Sequence, residues 1–133
     1  MALVAFAGPA TNILLALVSA LLFHVLGWLP RSAVGWFGQA LYHSIVLNLL
    51  LAIFNLLPIP PLDGSRIALA AMPGALARPY AKLERFGFLI LLGLVFLLPM
   101  IGREVGVNLN VFSWLVGTPL ARLLPGFEWL AGI

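Results

Sequence analysis

Long runs without a charged side chain constrain the fold of this 133-residue chain more than any other feature. The run from Ala10 to Leu29 contains 20 uncharged residues, and a second run extends from about Val34 to Leu57. About 20 apolar residues are enough for a helix to cross the ~30 Å hydrocarbon core of a bilayer. Because lipid offers the backbone no hydrogen bonds, runs of this length must fold as helices. The sequence therefore predicts an all-α, multi-span membrane protein.

The composition supports the same class. The chain is 63% hydrophobic and 8% charged, with a mean hydropathy of +1.14, which is outside the range of soluble domains. The absence of cysteine excludes disulfides and thiolate zinc sites. The net charge is +3, but the basic residues are dispersed among apolar segments. We therefore interpret them as topology signals and predict contact with a lipid bilayer and no nucleic-acid partner.

We predict a single membrane domain over residues 1–133 with three transmembrane helices, near 9–29, 34–57 and 80–101. A shorter interfacial or re-entrant helix is expected near 111–124, because that apolar stretch is short and contains Pro119. Proline at a first helical position loses no hydrogen bond. We therefore expect Gly8-Pro9 to start the first helix and Pro79 to start the third.

The distribution of basic residues predicts the orientation. The connection between the first two spans carries Arg31 alone, whereas the next connection carries Arg66, Arg78, Lys82 and Arg85. The positive-inside rule then places the second connection at the cytoplasmic face. The start of the first helix falls at the same face, so Asn12, Asn55 and Asp63 are predicted to lie near one another at that side of the membrane.

The connection after the second span contains the only aspartate of the chain. Prolines at 58, 60 and 61 hold the preceding segment extended. Asp63 stands before Gly64, and from spacing alone it is best interpreted as an N-cap, worth about 1 kcal/mol, or as a partner of Arg66. An ionisable group beside lipid is, however, also a candidate for function.

Polar residues recur along the second span at helical spacing. Ser44, Asn48, Ala52 and Asn55 form one small, polar stripe. Small and amide side chains commonly join membrane helices. We interpret Ser44 and Asn48 as packing residues.

Residues 55–64 read NLLPIPPLDG and resemble the NxxPxPxLDG motif of the site-2 protease family, which are intramembrane zinc metalloproteases. Residues 8–12 read GPATN and resemble that family's GPxxN element. The resemblance implies that Asp63 is a metal ligand and that Asn12 and Asn55 belong to the catalytic site. Asn55 would steady the substrate carbonyl or the oxyanion. It also implies a substrate with a transmembrane segment, and a bacterial cell membrane as the location.

The family's metal site also needs an H-E-x-x-H motif, in which two histidines bind zinc and the glutamate activates water. The sequence contains no such motif. Its two histidines, His24 and His43, lie on different predicted helices, each about 18 Å from the cytoplasmic end. We expect them to pack or hydrogen-bond with each other near the opposite leaflet. Zn²⁺ is expected only when a segment carrying H-E-x-x-H is supplied.

The resemblance is to the C-terminal part of a site-2 protease, beginning just after the zinc-binding helix. We expect the chain to be part of an intramembrane zinc metalloprotease and to be inactive in isolation. It could be a gene fragment, the product of a misassigned start codon, or one half of an enzyme whose H-E-x-x-H lies on a separate chain. The alternatives are a degenerate paralogue, a non-catalytic membrane scaffold, or a small transporter subunit that assembles through the stripe on the second span.

Overall fold

The computed structural model describes residues 2–59, 62–107 and 111–133. The regular structure of the described residues is entirely helical, without strands, as the apolar runs predict. Short 3₁₀ helices at Phe23–Trp28 and Leu83–Phe86 and a π-helical turn at Gly93–Leu97 connect some of the α-helices. The α-helices are α1 (Ala2–Leu22), α2 (Arg31–Leu56), α3 (Asp63–Ala71), α4 (Gly74–Lys82), α5 (Gly87–Leu92), α6 (Leu98–Val105) and α7 (Val111–Ala131).

Three helical segments are long and apolar enough to cross a membrane. They are Leu3–Trp28, Arg31–Leu56 and Gly87–Val105. The prediction of three transmembrane helices is therefore confirmed, and the chain is an integral membrane protein. The connection between α2 and α3, which carries most of the NLLPIPPLDG sequence, is non-helical at residues 57–59 and 62, as predicted. Pro60 and Pro61 lie outside the described residues.

Two prolines that were expected to start helices lie inside them. Helix α1 begins at Ala2 and contains Pro9, and α4 begins at Gly74 and contains Pro79. In α1 the residues before Pro9 are apolar, so their backbone groups must find partners within a helix. The Pro9 ring is also fully buried, and packing of this kind offsets the hydrogen bond that an internal proline removes.

Helix α7 is longer than the sequence predicts. It continues to Ala131 and contains Pro119 and Pro125, whereas the helix was expected to end near residue 124. At 1.5 Å per residue its 21 residues extend about 31 Å. Packing along α1 and α2 explains the extension, because Val116 joins the apolar cluster at one end of α2 and Ala131 joins the cluster near its middle.

Small residues allow α1 and α2 to approach closely. Ala16 and Ala20 of α1 are fully buried against Ile45 and Leu49 of α2, together with Ala131. Close packing of small side chains is the main source of helix association in membranes, where lipid competes with apolar contacts. The three helices α1, α2 and α7 therefore form the packed core of the protein.

A chain of polar contacts crosses this core, and it involves the stripe on α2. The Ser19 and Ser44 hydroxyl oxygens are 2.8 Å apart, which joins α1 to α2. The Asn48 side-chain amide donates to the Ser44 carbonyl at 2.8 Å and to its hydroxyl at 3.3 Å. Ala52, the next member of the stripe, is buried. These contacts are those expected of helix packing.

The close α1–α2 contact generates a prediction about stability. Ala16→Leu is expected to lower the free energy of unfolding by about 1–3 kcal/mol, because the added carbons overfill a closed interface. Ala40→Leu is the matched control, since Ala40 is exposed on α2, and it should change stability by less than about 0.5 kcal/mol. Unfolding in mixed micelles, followed by circular dichroism, measures both. Equal effects of the two variants would contradict the packing.

Candidate functional site

Asp63 is the first residue of α3, and its carboxylate faces the N-terminal half of α1. A methyl group placed on Gly8 would lie 3.1 Å from Asp63 Oδ2, and α3 as a whole packs against α1. The glycine therefore leaves room for the carboxylate beside the helix backbone. Two segments that are far apart in sequence, GPATN and NLLPIPPLDG, meet at this point.

The second glycine of the site sets the position of α3. A Cβ on Gly64 would collide with backbone atoms of Leu56 and Leu57 at the end of α2. Only a residue without a side chain permits this approach, in which the start of α3 lies directly against the end of α2. Because Asp63 immediately precedes Gly64, the same approach determines where its carboxylate is held.

Local hydrogen bonds hold the connection between α2 and α3. The Leu57 carbonyl accepts from the Ile59 amide at 2.8 Å, and the Ile59 carbonyl accepts from the Leu62 amide at 2.9 Å. The Leu62 carbonyl accepts from the Ser65 amide at 3.1 Å and from the Ser65 hydroxyl at 2.7 Å. The backbone thus makes its own bonds without regular structure, as a segment near lipid must.

Pro58 obtains its partner from a distant part of the chain. Its carbonyl accepts a hydrogen bond from the Tyr80 hydroxyl of α4. Burial raises the pKa of Tyr80, so the hydroxyl remains protonated and able to donate at neutral pH. This contact ties the helix that leads into the third span to the segment between Asn55 and Asp63. Sequence reasoning missed Tyr80, since no periodicity or motif distinguishes a tyrosine after Pro79.

The structure does not bear out the structural interpretations of Asp63. Leu62 is the N-cap residue of α3, and no side chain caps that end. No ion pair links Asp63 to Arg66 within the described part of the chain. Asp63 lies in the first turn of α3, where the helix dipole favours a negative charge. The half-buried carboxylate is therefore placed beside α1 with no described hydrogen-bond partner.

The two asparagines lie at different positions along their helices. Asn12 follows Gly8 by one helical turn, so both residues lie on one face of α1. Asn55 is in the last turn of α2 and continues the stripe of Ser44, Asn48 and Ala52. Both amides are partly buried. Because α1 begins at Ala2, Asn12 lies near the middle of that helix and not at its start. The convergence of the three residues and the catalytic roles of both asparagines stay predictions.

Neither histidine joins this site. His24 Nε2 is 2.7 Å from the Leu130 carbonyl, which is one of the free carbonyls at the end of α7. His43 is exposed on α2. The expected contact between the two histidines is therefore replaced by a cap on α7, whose full length the sequence did not predict.

The described side chains do not by themselves fit a zinc ion. Among the residues that the structure describes, no three His, Cys, Asp or Glu side chains lie close enough together to hold a metal ion. Catalytic zinc sites usually have three protein ligands and a water. Among the described residues, this arrangement offers a single carboxylate ligand, Asp63.

The approach at Gly64 generates a prediction with a built-in control. Gly64→Ala is expected to lower the free energy of unfolding by more than about 2 kcal/mol, because its Cβ meets backbone that cannot move aside. Gly74→Ala adds the same methyl group to the first residue of α4, where nothing lies within 4 Å, and should leave stability unchanged or raise it by up to about 1 kcal/mol. The free energies of unfolding of the two variants are measured in mixed micelles and compared. Tolerance of Gly64→Ala would show that α3 does not pack as described.

The Tyr80 contact generates a second prediction. Tyr80→Phe removes one hydroxyl and is expected to cost about 0.5–1.5 kcal/mol and to speed amide exchange at Ile59 and Leu62. The control is Tyr42→Phe, which removes the 3.1 Å bond from Tyr42 to Glu128 and leaves Tyr80 intact. Exchange measured by mass spectrometry on peptides covering the motif should change only in Tyr80→Phe. The same exchange pattern in both variants would show that the hydrogen bond from Tyr80 to Pro58 does not hold the motif segment.

Comparisons with known proteins identify the family of this chain. The model of the family described as Peptidase family M50 matches residues 25–99, which include Asn55 and Asp63. The chain is 35% identical over 122 residues to the protein named Putative zinc metalloprotease YwhC of Bacillus subtilis, covering 84% of this chain and 56% of that protein. It is 45% identical over 64 residues to Putative zinc metalloprotease MJ0611 of Methanocaldococcus jannaschii, covering 48% of this chain and 31% of that protein.

A third relative is Putative zinc metalloprotease Rip2 of Mycolicibacterium smegmatis, 36% identical over 93 residues, or 70% of this chain and 35% of that protein. No solved structure matches. The chain spans about half the length of the first of these relatives and about a third of each of the other two. The family match covers more than half of the chain and includes the aspartate motif, so this chain belongs to peptidase family M50, the site-2 protease family.

Proposed function

We propose that this chain supplies Asp63 and Asn55 to the active site of an intramembrane zinc metalloprotease that hydrolyses peptide bonds in transmembrane segments. The observation that carries the proposal is the placement of Asp63. Its carboxylate lies beside Gly8, the adjacent Gly64 packs against the end of α2, and no structural partner of the carboxylate is described. A carboxylate held in this way beside membrane-spanning helices is costly unless it has a function.

The remaining metal ligands would come from an H-E-x-x-H segment outside these 133 residues. Family membership suggests zinc, which when bound polarises a carbonyl and lowers the pKa of a coordinated water. The glutamate of that segment would act as the general base. The chain covers only 56% of the YwhC relative, so the activity of a complete enzyme is proposed for the assembly of the two parts.

The residues of this chain have distinct proposed roles. Asp63 would provide one oxygen ligand from a rigid position, since Gly64 allows no shift of α3 relative to α2. The Asn55 amide would donate to the substrate carbonyl and more strongly to the oxyanion that forms from it. Asn12, one turn from Gly8, would bind or orient the substrate at the same end of the bundle.

The location of the site supports a membrane-embedded substrate. Asn12 lies within the first spanning segment, Asn55 lies in the last turn of the second, and Asp63 begins the helix that follows it. A peptide bond must therefore reach them from within or beside the bilayer. The basic residues between the second and third spans favour a cytoplasmic position for this end in a bacterial cell membrane. The substrate would thus be cleaved near the cytoplasmic end of its transmembrane segment.

A scaffold or transporter subunit has less support. That alternative relied on the polar stripe of α2 as an assembly surface. Ser44 and Asn48 are used within the chain instead, by the contacts with Ser19 and with each other. The stripe therefore offers little free hydrogen-bonding capacity to a partner.

Complementation with the H-E-x-x-H segment tests the proposal. The isolated chain is expected neither to hold zinc tightly nor to cleave peptides, because one carboxylate leaves at least two ligand positions unfilled. The segment, fused ahead of Met1 or co-expressed, should restore zinc at one equivalent and cleavage of a transmembrane reporter. In that system Asp63→Ala should abolish both zinc binding and reporter cleavage. Asn55→Ala should retain zinc and lower the rate of cleavage about 10²–10³-fold.

The control is Glu104→Ala, which removes an exposed carboxylate from the far end of the third span and should change neither readout. Metal content by plasma mass spectrometry and reporter cleavage by gel give the two measurements. Zinc bound at one equivalent to the isolated chain and lost in Asp63→Ala would mean that other residues complete the ligand set. Cleavage that survives Asp63→Ala would refute the role of Asp63.

A further inference from the structure

A row of basic side chains lines the helix that leads into the third span. Arg78 and Lys82 are one turn apart on α4, so they share a face. Arg85 follows Lys82 by three residues within the 3₁₀ helix Leu83–Phe86. Side chains three apart eclipse one another in a 3₁₀ helix, and the change of helix type thus keeps Arg85 in line. All three side chains are exposed.

A cavity lies at the end of this row. It has a volume of about 460 Å³ and is lined by Ala81, Lys82, Arg85 and Phe86. Lys82 and Arg85 bring several N–H donors and no acceptors, so the polar part of the lining is suited to an anion. Ala81 and Phe86 are apolar. A lining of this mixed character matches a molecule that carries an anionic group next to hydrocarbon.

The cavity is at the boundary between polar and apolar surface. Its last lining residue, Phe86, immediately precedes the spanning segment Gly87–Val105. Phospholipid phosphates lie at this boundary, just outside the hydrocarbon core. An anionic ligand in the cavity can therefore be part of the bilayer itself.

The charge of the row lies among the described side chains, which do not include that of Glu84. No ion pair to Arg78, Lys82 or Arg85 is present among the side chains that the structure describes. Arginine recognises phosphate oxygens through two parallel N–H bonds, and lysine adds a mobile point charge. Lys82 and Arg85 both line this half-open pocket, so a phosphate bound there can contact both side chains.

We propose that the Lys82–Arg85 cavity binds the phosphate of an anionic phospholipid, with Arg78 adding to the attraction. A purely topological role for these residues would need only their charge and not their alignment or a cavity. The bound headgroup would sit on the segment that carries Tyr80, the residue tied to Pro58 of the motif. This inference does not depend on the proposed protease function.

The test is lipid binding by the purified 133-residue chain in uncharged detergent at 0.15 M salt. Dihexanoyl phosphatidylglycerol, dihexanoyl phosphatidylcholine and inorganic phosphate are titrated separately, by calorimetry and by native mass spectrometry. One equivalent of the glycerol lipid is expected to bind, more tightly than either other probe. Each basic side chain near an anionic headgroup contributes about fivefold in affinity, so Lys82→Gln/Arg85→Gln should weaken binding on the order of 25-fold.

Arg103→Gln/Arg122→Gln is the matched control, because it removes the same charge from exposed positions on α6 and α7. At this salt concentration remote charges are screened, and its affinity should stay within about twofold of the unmodified chain. The single variants Lys82→Gln and Arg85→Gln, each about fivefold weaker, keep the test valid if the double variant does not fold. Equal weakening in both double variants, equal binding of the two lipids, or inorganic phosphate binding as tightly as the lipid would each overturn the proposal.

Discussion

The absence of water around the spanning helices is the constraint on which the rest of this structure depends. It forces the backbone of the apolar runs into helices, including the residues before Pro9, and it makes each polar side chain seek a partner inside the protein. Ser19, Ser44 and Asn48 meet that requirement together in the core. Asp63 does not, since the described structure gives its carboxylate a position but no bond. That contrast separates packing residues from the candidate for function.

Two close approaches of backbone produce the geometry at Asp63. Gly64 allows α3 to start against the end of α2, and Gly8 leaves space on α1 for the carboxylate. The aspartate is thus held by helix packing rather than by hydrogen bonds, which leaves its oxygens available. This arrangement is suited to a metal ligand that must be in place before its ion and remaining ligands arrive. Membership of peptidase family M50 agrees with that use.

The third span differs from the first two in how it is held. Helices α1, α2 and α7 share a packed core, whereas few residues of the segment Gly87–Val105 are fully buried. Its N-terminal extension is attached through Tyr80 to Pro58, and the basic row next to the cavity lies on the same extension. The segment that contains Tyr80 and the basic row therefore lies between the motif at Pro58 and the third span. The apolar part of the third span also contacts the core, where Leu91 packs against the cluster that contains Ile53 and Val116.

The sequence by itself determined the membrane class, the three spans and the non-helical connection at the motif, because apolar length and proline chemistry act locally. It also predicts that Asn12, Asn55 and Asp63 lie near one face of the membrane, and this stays a prediction. Only the tertiary structure decided that prolines 9 and 79 lie inside helices, that α7 extends to Ala131, and that Asp63 faces Gly8 rather than capping α3. These outcomes depend on contacts between distant segments, where packing against a neighbouring helix outweighs the local preference of a proline or a capping residue.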